Sequence, residues 1–233
     1  MNMASYIVAT TKPWNLHEYS KFASQAKGAW HLIDRSEDLT VEAIRRIQPR
    51  YIFFPHWHWK IPQEICDVAE CVLFHMTDLP FGRGGSPLQN LIVRGFTQTM
   101  VSAIRVVPEV DAGPVYLKRP LSLDGNAAEI FSRLSRLVFE MIAQIVAEEP
   151  PSTPQSGDPV YFKRRTPAQS VLPASATLNQ LYNHIRMLDA ETYPAAFLEF
   201  GGWRFEFSQA TLIHEGIEAR VLIRARQEPG VTQ

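Results

Sequence analysis

The chain has 233 residues, 45% hydrophobic and 20% charged, with 23 Lys and Arg against 24 Asp and Glu and a formal net charge of −1. This composition excludes a disordered or collagen-like chain and fits one large core, or one core with a small appendage. The even charge removes the broad basic surface that nucleic-acid binding draws on. No apolar run reaches the ~20 residues of a membrane span, and Met1 to Thr11 lacks a basic-then-apolar leader. A cytoplasmic protein with no membrane partner is therefore expected, and two lone cysteines, Cys66 and Cys71, suit a reducing compartment.

In chain order, Tyr6–Thr10 reads as a buried strand, Asn15–Gln25 as a helix, Ala29–Ile33 as a strand, Thr40–Ile47 as a helix and Tyr51–Phe54 as a strand. That rhythm predicts an α/β, Rossmann-like domain with a mostly parallel sheet and ligands at the carboxyl ends of its strands. Val72–Phe74 is the next strand, Phe81-Gly-Arg-Gly-Gly85 is turn-rich, and Ser86-Pro87 opens a helix to Val93. Met100–Val107 and Val115–Lys118 read as strands around an Asp111-Ala-Gly113 corner. A long helix over Asn126–Ala147 follows, with Asn126 and Glu129 suiting a capping box. Its stripe of Ile130, Leu134, Leu137, Met141 and Ile145 is assigned to core packing.

Glu149–Pro159 contains four prolines with serine, threonine and glycine, the composition of a linker. The expected division is a first domain over 1–150 and a small β-rich domain over 151–233. The second holds a strand at Val160–Lys163, a helix at Leu178–Met187, and a meander of Ala196–Phe200, Trp203–Phe207, Thr211–His214 and Ala219–Ile223. Apolar Phe197, Phe200, Trp203 and Phe205 suit either packing on the first domain or the seam of a homodimer.

Polar residues concentrate at four strand ends: Pro55–Lys60, His75–Asp78, the Arg83-Gly-Gly85 turn and Asp111–Gly113. In an open α/β sheet such ends converge on one crevice. His75 suits a general base or an electrostatic stabiliser, or simply caps its strand. Asp111 suits a catalytic partner or a turn former. His56-x-His58 is a weak metal pattern with no further carboxylate or cysteine cluster at matching spacing, so no metal is expected. A flat ligand packing on Trp57 and Trp59 fits this segment better. The glycine turn matches neither a dinucleotide fingerprint nor a Walker loop, but Arg83 can pair with a phosphate. Lys60, Lys118 and Arg119 read as ordinary surface charges.

His75-Met-Thr-Asp-Leu-Pro-Phe-Gly-Arg-Gly-Gly-Ser-Pro87 resembles the formyltransferase signature His-x-Ser-x-Leu-Pro-x-x-Arg-Gly-x-x-Pro, with threonine at the serine position. Trp59-Lys-Ile-Pro62 resembles the Leu-Ile-Pro segment that precedes it in 10-formyltetrahydrofolate-dependent formyltransferases, and Val110-Asp-Ala-Gly113 their Met-Asp-x-Gly loop. Phe162–Pro167, Ile185–Asp189 and Tyr193–Phe197 are similar to the start of the C-terminal region in methionyl-tRNA and sugar formyltransferases. The wording of the signature looks most like the branch that formylates nucleotide-linked amino sugars on routes of the pseudaminic-acid type.

The resemblance implies an N-formyltransferase using 10-formyltetrahydrofolate as co-substrate, with a nucleotide-linked amino sugar as acceptor and no nucleic acid. His75 and Asp111 are then the catalytic pair. His56, Trp57, His58, Trp59, Ile61, Pro62 and Asp111 would line the folate site, and Lys60, Thr77, Arg83, Gly84, Gly85 and Gln89 the acceptor site. The family usually places an asparagine for the formyl oxygen two residues before the histidine, where this chain has Leu73. Three alternatives stay open: a formyltetrahydrofolate hydrolase, a metallohydrolase of His56, His58, His75 and Asp111, and a non-catalytic sugar-nucleotide or folate binder.

Overall fold

The computed structural model describes residues 3–226. The chain divides into two compact units, each built from discontinuous segments. The first comprises the residues up to Pro87 together with Gln98–Ser122 and Phe131–Lys163; the second comprises Leu88–Thr97, Leu123–Ile130 and the residues from Arg164 on. The proline-rich stretch after Glu149 thus lies inside the first unit.

The first unit is organised by a six-stranded sheet in the order β2-β1-β3-β4-β6-β7. The strands β1 (Ser5–Ala9), β2 (Ala29–Ile33), β3 (Tyr51–Pro55) and β4 (Glu70–His75) pair in parallel. β6 (Gln98–Arg105) and β7 (Val115–Ser122) extend the sheet antiparallel. The mostly parallel sheet follows from near-continuous apolar runs: Ile7, Val8, Ala9, Ile52, Phe53 and Phe54 are all fully buried, as strands covered on both faces must be. The connections are α1 (Pro13–Ala23), with proline in its first turn, and α2 (Val41–Ile47), where the Thr40 side chain caps the Ala43 amide. A short α3 (Gln63–Cys66), not foreseen in the sequence, joins β3 to β4.

Between β4 and β6 the chain forms β5 (Phe81–Gly84) and then α4 (Pro87–Val93), which starts at its proline as the pattern requires. The long α5 (Ala127–Glu148) carries the expected reciprocal cap: Asn126 N–H donates to Glu129 Oε2, and Glu129 N–H donates to Asn126 Oδ1. Ile130, Leu134, Met141 and Ile145 are buried, with Leu137 partly so. β8 (Val160–Phe162) then pairs in parallel with β5 as a separate two-stranded sheet.

The second unit contains α6 (Leu178–Arg186) and an antiparallel sheet of β9 (Ala196–Phe200), β10 (Trp203–Ile213) and β11 (Gly216–Ala225). The predicted Trp203–Phe207 and Thr211–His214 runs are one strand: a bulge between Ser208 and Thr211, with Gln209 at φ 51°, interrupts the alternation without ending the pairing. Buried Arg186 ties the segments of this unit together, donating through Nη1 to the Leu123 and Gly125 carbonyls at 2.6 and 2.7 Å. The register puts Phe200, Trp203, Val221 and Ile223 on one exposed face, and Phe197 on the other, under the Arg204 guanidinium at 3.5 Å. Among the described residues no helix is long and apolar enough to cross a membrane.

Candidate active site

After Glu70 at its start, β4 is apolar until its last residue, so the strand delivers a single polar side chain, His75, to its carboxyl end. Its imidazole is only 8% exposed. The following loop folds tightly beneath it: Ser102 Oγ donates to the Thr77 carbonyl at 2.8 Å, and Lys118 Nζ donates to Asp78 Oδ1 and to the Leu79 carbonyl. Lys118, read from sequence as an ordinary surface charge, therefore anchors this loop. A cis Leu79–Pro80 peptide turns the chain back into β5.

That return brings the Gly82 carbonyl to 2.8 Å from His75 Nε2. A carbonyl only accepts, so Nε2 carries a proton, and in the neutral tautomer Nδ1 on the other side of the ring is the acceptor. Nδ1 faces Asp111 Oδ2 at 3.6 Å, and the same oxygen accepts the Gly84 N–H at 2.8 Å. Two acceptors then lie side by side, and a donor placed next to them can serve both.

Asp111 reaches this position because the loop after β6 folds back. Arg105 lies opposite Val72, three residues before His75, and the loop returns along the strand to the histidine. The turn is made by Asp111 itself, at φ 53°, a left-handed conformation uncommon for a residue with a Cβ. Gly113 lies so close to the Arg105 carbonyl that a Cβ there would be 1.7 Å from its oxygen. Only glycine fits that approach.

A residue that the sequence reading passed over holds the loop from outside. Gln155, in the proline-rich stretch, donates through Nε2 to the Asp111 and Gly113 carbonyls at 2.7 and 2.9 Å. Its Oε1 accepts from Arg83 Nη2 at 2.8 Å, and Arg83 Nη1 also meets Glu109 Oε1 at 3.1 Å. Nothing in composition or spacing marks Gln155; an amide between prolines reads as linker chemistry.

The other predicted site residues separate into groups. After β3 the chain turns at His56, at φ 53°. His58, Trp59, Lys60 and Pro62 are exposed, whereas Trp57 and Ile61 pack against the cluster of Ile7, Ile52 and Phe54. His56 lies edge-on to Phe131 at 4.9 Å, and burial, aided by Lys12 and His58, pushes its pKa down to about 3. Thr77 is fully buried, its hydroxyl on the Gly82 carbonyl, while Gly85 N–H donates to the Phe162 carbonyl. Arg83 is 9% exposed and its guanidinium is engaged by Gln155, Glu109 and Tyr161. Gln89 is buried in the second unit, where it donates to the Met187 carbonyl at 3.1 Å. His56, His58, His75 and Asp111 do not converge: among the described residues no three His, Cys, Asp or Glu side chains gather as a metal-binding group. Leu73, on the same face of β4 as His75, is partly buried against the apolar cluster.

The sequence model described as "Methionyl-tRNA formyltransferase, C-terminal domain" matches residues 167–224. A curated methionyl-tRNA formyltransferase of Lactobacillus acidophilus is 32% identical over 143 residues, covering 58% of this chain and 45% of that protein. The chain spans about half the length of the curated relatives it matches. A solved sugar N-formyltransferase from Shewanella sp FDAARGOS_354 shares the fold, with a TM-score of 0.71 at 11% identity over 91% of this chain and 99% of that one. A solved structure named methionyl-tRNA formyltransferase from Clostridium thermocellum is 45% identical, with a TM-score of 0.94 over 96% of this chain and 100% of that one. At that identity and coverage, the chain belongs to the formyltransferase family.

Proposed function

We propose that the protein transfers a formyl group from 10-formyltetrahydrofolate to a primary amine. The observation that carries this reading is the facing pair of acceptors, His75 Nδ1 and Asp111 Oδ2, 3.6 Å apart in a member of the formyltransferase family. A neutral amine has two N–H donors and a lone pair, so it can satisfy both acceptors while its lone pair points at the formyl carbon. As the new C–N bond forms, His75 Nδ1 takes the amine proton. As the bond from the formyl carbon to folate N10 breaks, that proton is available to the departing nitrogen. Asp111 steadies the positive charge that builds on the imidazole, and the Gly84 amide steadies Asp111.

The exposed Trp59, His58 and Pro62 offer the stacking surface for the pterin, with His56, Trp57 and Ile61 supporting it from the core side. Leu73 supplies no donor to the formyl oxygen, so its stabilisation falls to the protonated imidazole and to backbone amides.

For the acceptor, the relatives' names favour the amine of methionyl-tRNA: the 45%-identical structure and the C-terminal domain match both carry it. The earlier expectation of no nucleic-acid partner therefore has an opponent. A nucleotide-linked amino sugar is the second reading, favoured by the balance of 23 basic against 24 acidic residues, which gives a polyanion little overall attraction. Incubation with 10-formyltetrahydrofolate and each acceptor in turn tests both, reading the formylated amine by mass and tetrahydrofolate by absorbance. Formate released at the same rate without any amine would replace the transferase reading by a hydrolase.

A further inference from the structure

Asp111 is the one residue of the proposed catalytic pair whose backbone sits in the left-handed region, at φ 53°. Such a conformation in a residue with a Cβ persists only where its surroundings over-determine it. Its carboxylate is held from inside by the Gly84 N–H, but that bond fixes one oxygen, not the peptide. The peptide is fixed by Gln155, whose single amide nitrogen spans the Asp111 and Gly113 carbonyls at 2.7 and 2.9 Å, gripping both ends of the Asp-Ala-Gly turn.

Gln155 is itself prevented from flipping. Arg83 places Nε and Nη2 on its Oε1 at 3.2 and 2.8 Å, and a guanidinium only donates, so the amide oxygen must face Arg83 and the nitrogen must face the turn. Arg83 is in turn committed by Glu109 Oε1 at 3.1 Å and lies beside Tyr161 Oη at 3.4 Å. The stretch that carries Gln155 is tied at both ends. Thr153 exchanges backbone hydrogen bonds of 2.7 and 2.9 Å with Val115, and Val160–Phe162 pairs with the strand that carries Arg83 and Gly84.

We propose that Gln155 is a positioning residue of the active site: through a relay from Arg83 it locks the Asp111 turn and so sets the carboxylate against His75. The proline-rich stretch is then a strap across the site rather than a passive linker. This inference deepens the functional reading above and rests on it for the catalytic consequence, while the clamp itself is a property of the fold.

The decisive substitution is Gln155→Glu. It keeps the shape and an acceptor for Arg83 but turns the nitrogen into an oxygen that faces two carbonyl oxygens, so attraction becomes repulsion. Gln155→Ala removes the donors without adding repulsion and serves if the first variant does not fold. Two readouts on the full chain separate the clamp from the chemistry. In a two-dimensional amide NMR spectrum, the Gly84 N–H, which donates to Asp111, should move upfield toward its position in Asp111→Ala, while resonances of β1 to β3 stay in place. In the transfer assay kcat should fall by about 10²-fold, the scale of a catalytic group misplaced by an ångström. KM for 10-formyltetrahydrofolate should stay within about twofold, a split that general destabilisation would not produce. A Gly84 resonance unmoved, or a kcat unchanged, in the folded variants overturns the proposal. A shifted Gly84 resonance in a protein whose wild type transfers formyl to no amine would leave the clamp standing and remove the functional reading.

Discussion

At the scale of single residues, His75 is committed by its Nε2 to the Gly82 carbonyl, which leaves Nδ1 for the reaction. Replacing His75 by Ala, or Asp111 by Asn, should lower turnover by roughly 10²–10⁴-fold, the usual weight of acid–base groups, with the fold retained by circular dichroism. Turnover like that of wild type in either variant would remove that residue from the mechanism. His56 makes a separate prediction. Folded, it stays neutral down to about pH 3, because burial, Lys12 and His58 disfavour its charge, while the unfolded chain takes up the proton near the ordinary value of 6.5. The unfolded state therefore binds more protons between those values, and stability present above pH 6.5 is lost as pH falls, by at most about 1.4 kcal/mol per pH unit for one group. Thermal midpoints measured from pH 7.5 to 5 should drop more steeply in wild type than in His56→Leu. Parallel curves would show that another group sets the slope.

At the scale of elements, the site depends on backbones brought close enough that side chains are excluded. Gly84 has φ 105°, and a Cβ there would be 2.4 Å from the Phe162 carbonyl oxygen. Gly84→Ala should cost at least about 1–2 kcal/mol from the backbone conformation alone, and the clash should also prise β5 from β8. Urea unfolding reads that loss, and a midpoint equal to wild type would mean that the β5–β8 pair contributes nothing. The same elements show what was legible. The parallel strands, α5 and its cap could be read because burial on both faces and a 3.6-residue period each leave a long pattern. β5 could not, because Phe81–Gly84 is four residues with two glycines and pairs with a strand 79 positions away, Phe81 with Val160. The pattern predicts β7 only over Val115–Lys118, yet the strand continues through Pro120 to Ser122: an edge strand tolerates a proline whose missing N–H faces away from its neighbour. The polar ends His75 and Asp111 were visible as residue types. Gln155 and the inward turn of Gln89 depend on partners far along the chain, Asp111 and Met187, and leave no local signature.

At the scale of the whole molecule, charge and family pull the acceptor in different directions. A net charge of −1 gives no long-range attraction for a polyanion, and a chain that binds methionyl-tRNA must then do so through local cations. If methionyl-tRNA is the acceptor, kcat/KM should fall steeply with salt, in proportion to the phosphates contacted, whereas a nucleotide-linked amino sugar with two phosphates should show a shallow dependence. Narrower than the choice of acceptor is the reaction itself: a primary amine docks beside His75 Nδ1 and Asp111 Oδ2 and there receives a formyl group. The most direct test is a single-turnover reaction of the purified chain with 10-formyltetrahydrofolate carrying an isotopically labelled formyl carbon, run with methionyl-tRNA and with a panel of nucleotide-linked amino sugars. One labelled formamide should form per tetrahydrofolate released with one of these acceptors, and it should be lost in His75→Ala. Label appearing only as formate, or a labelled formamide formed equally well by His75→Ala, would contradict it.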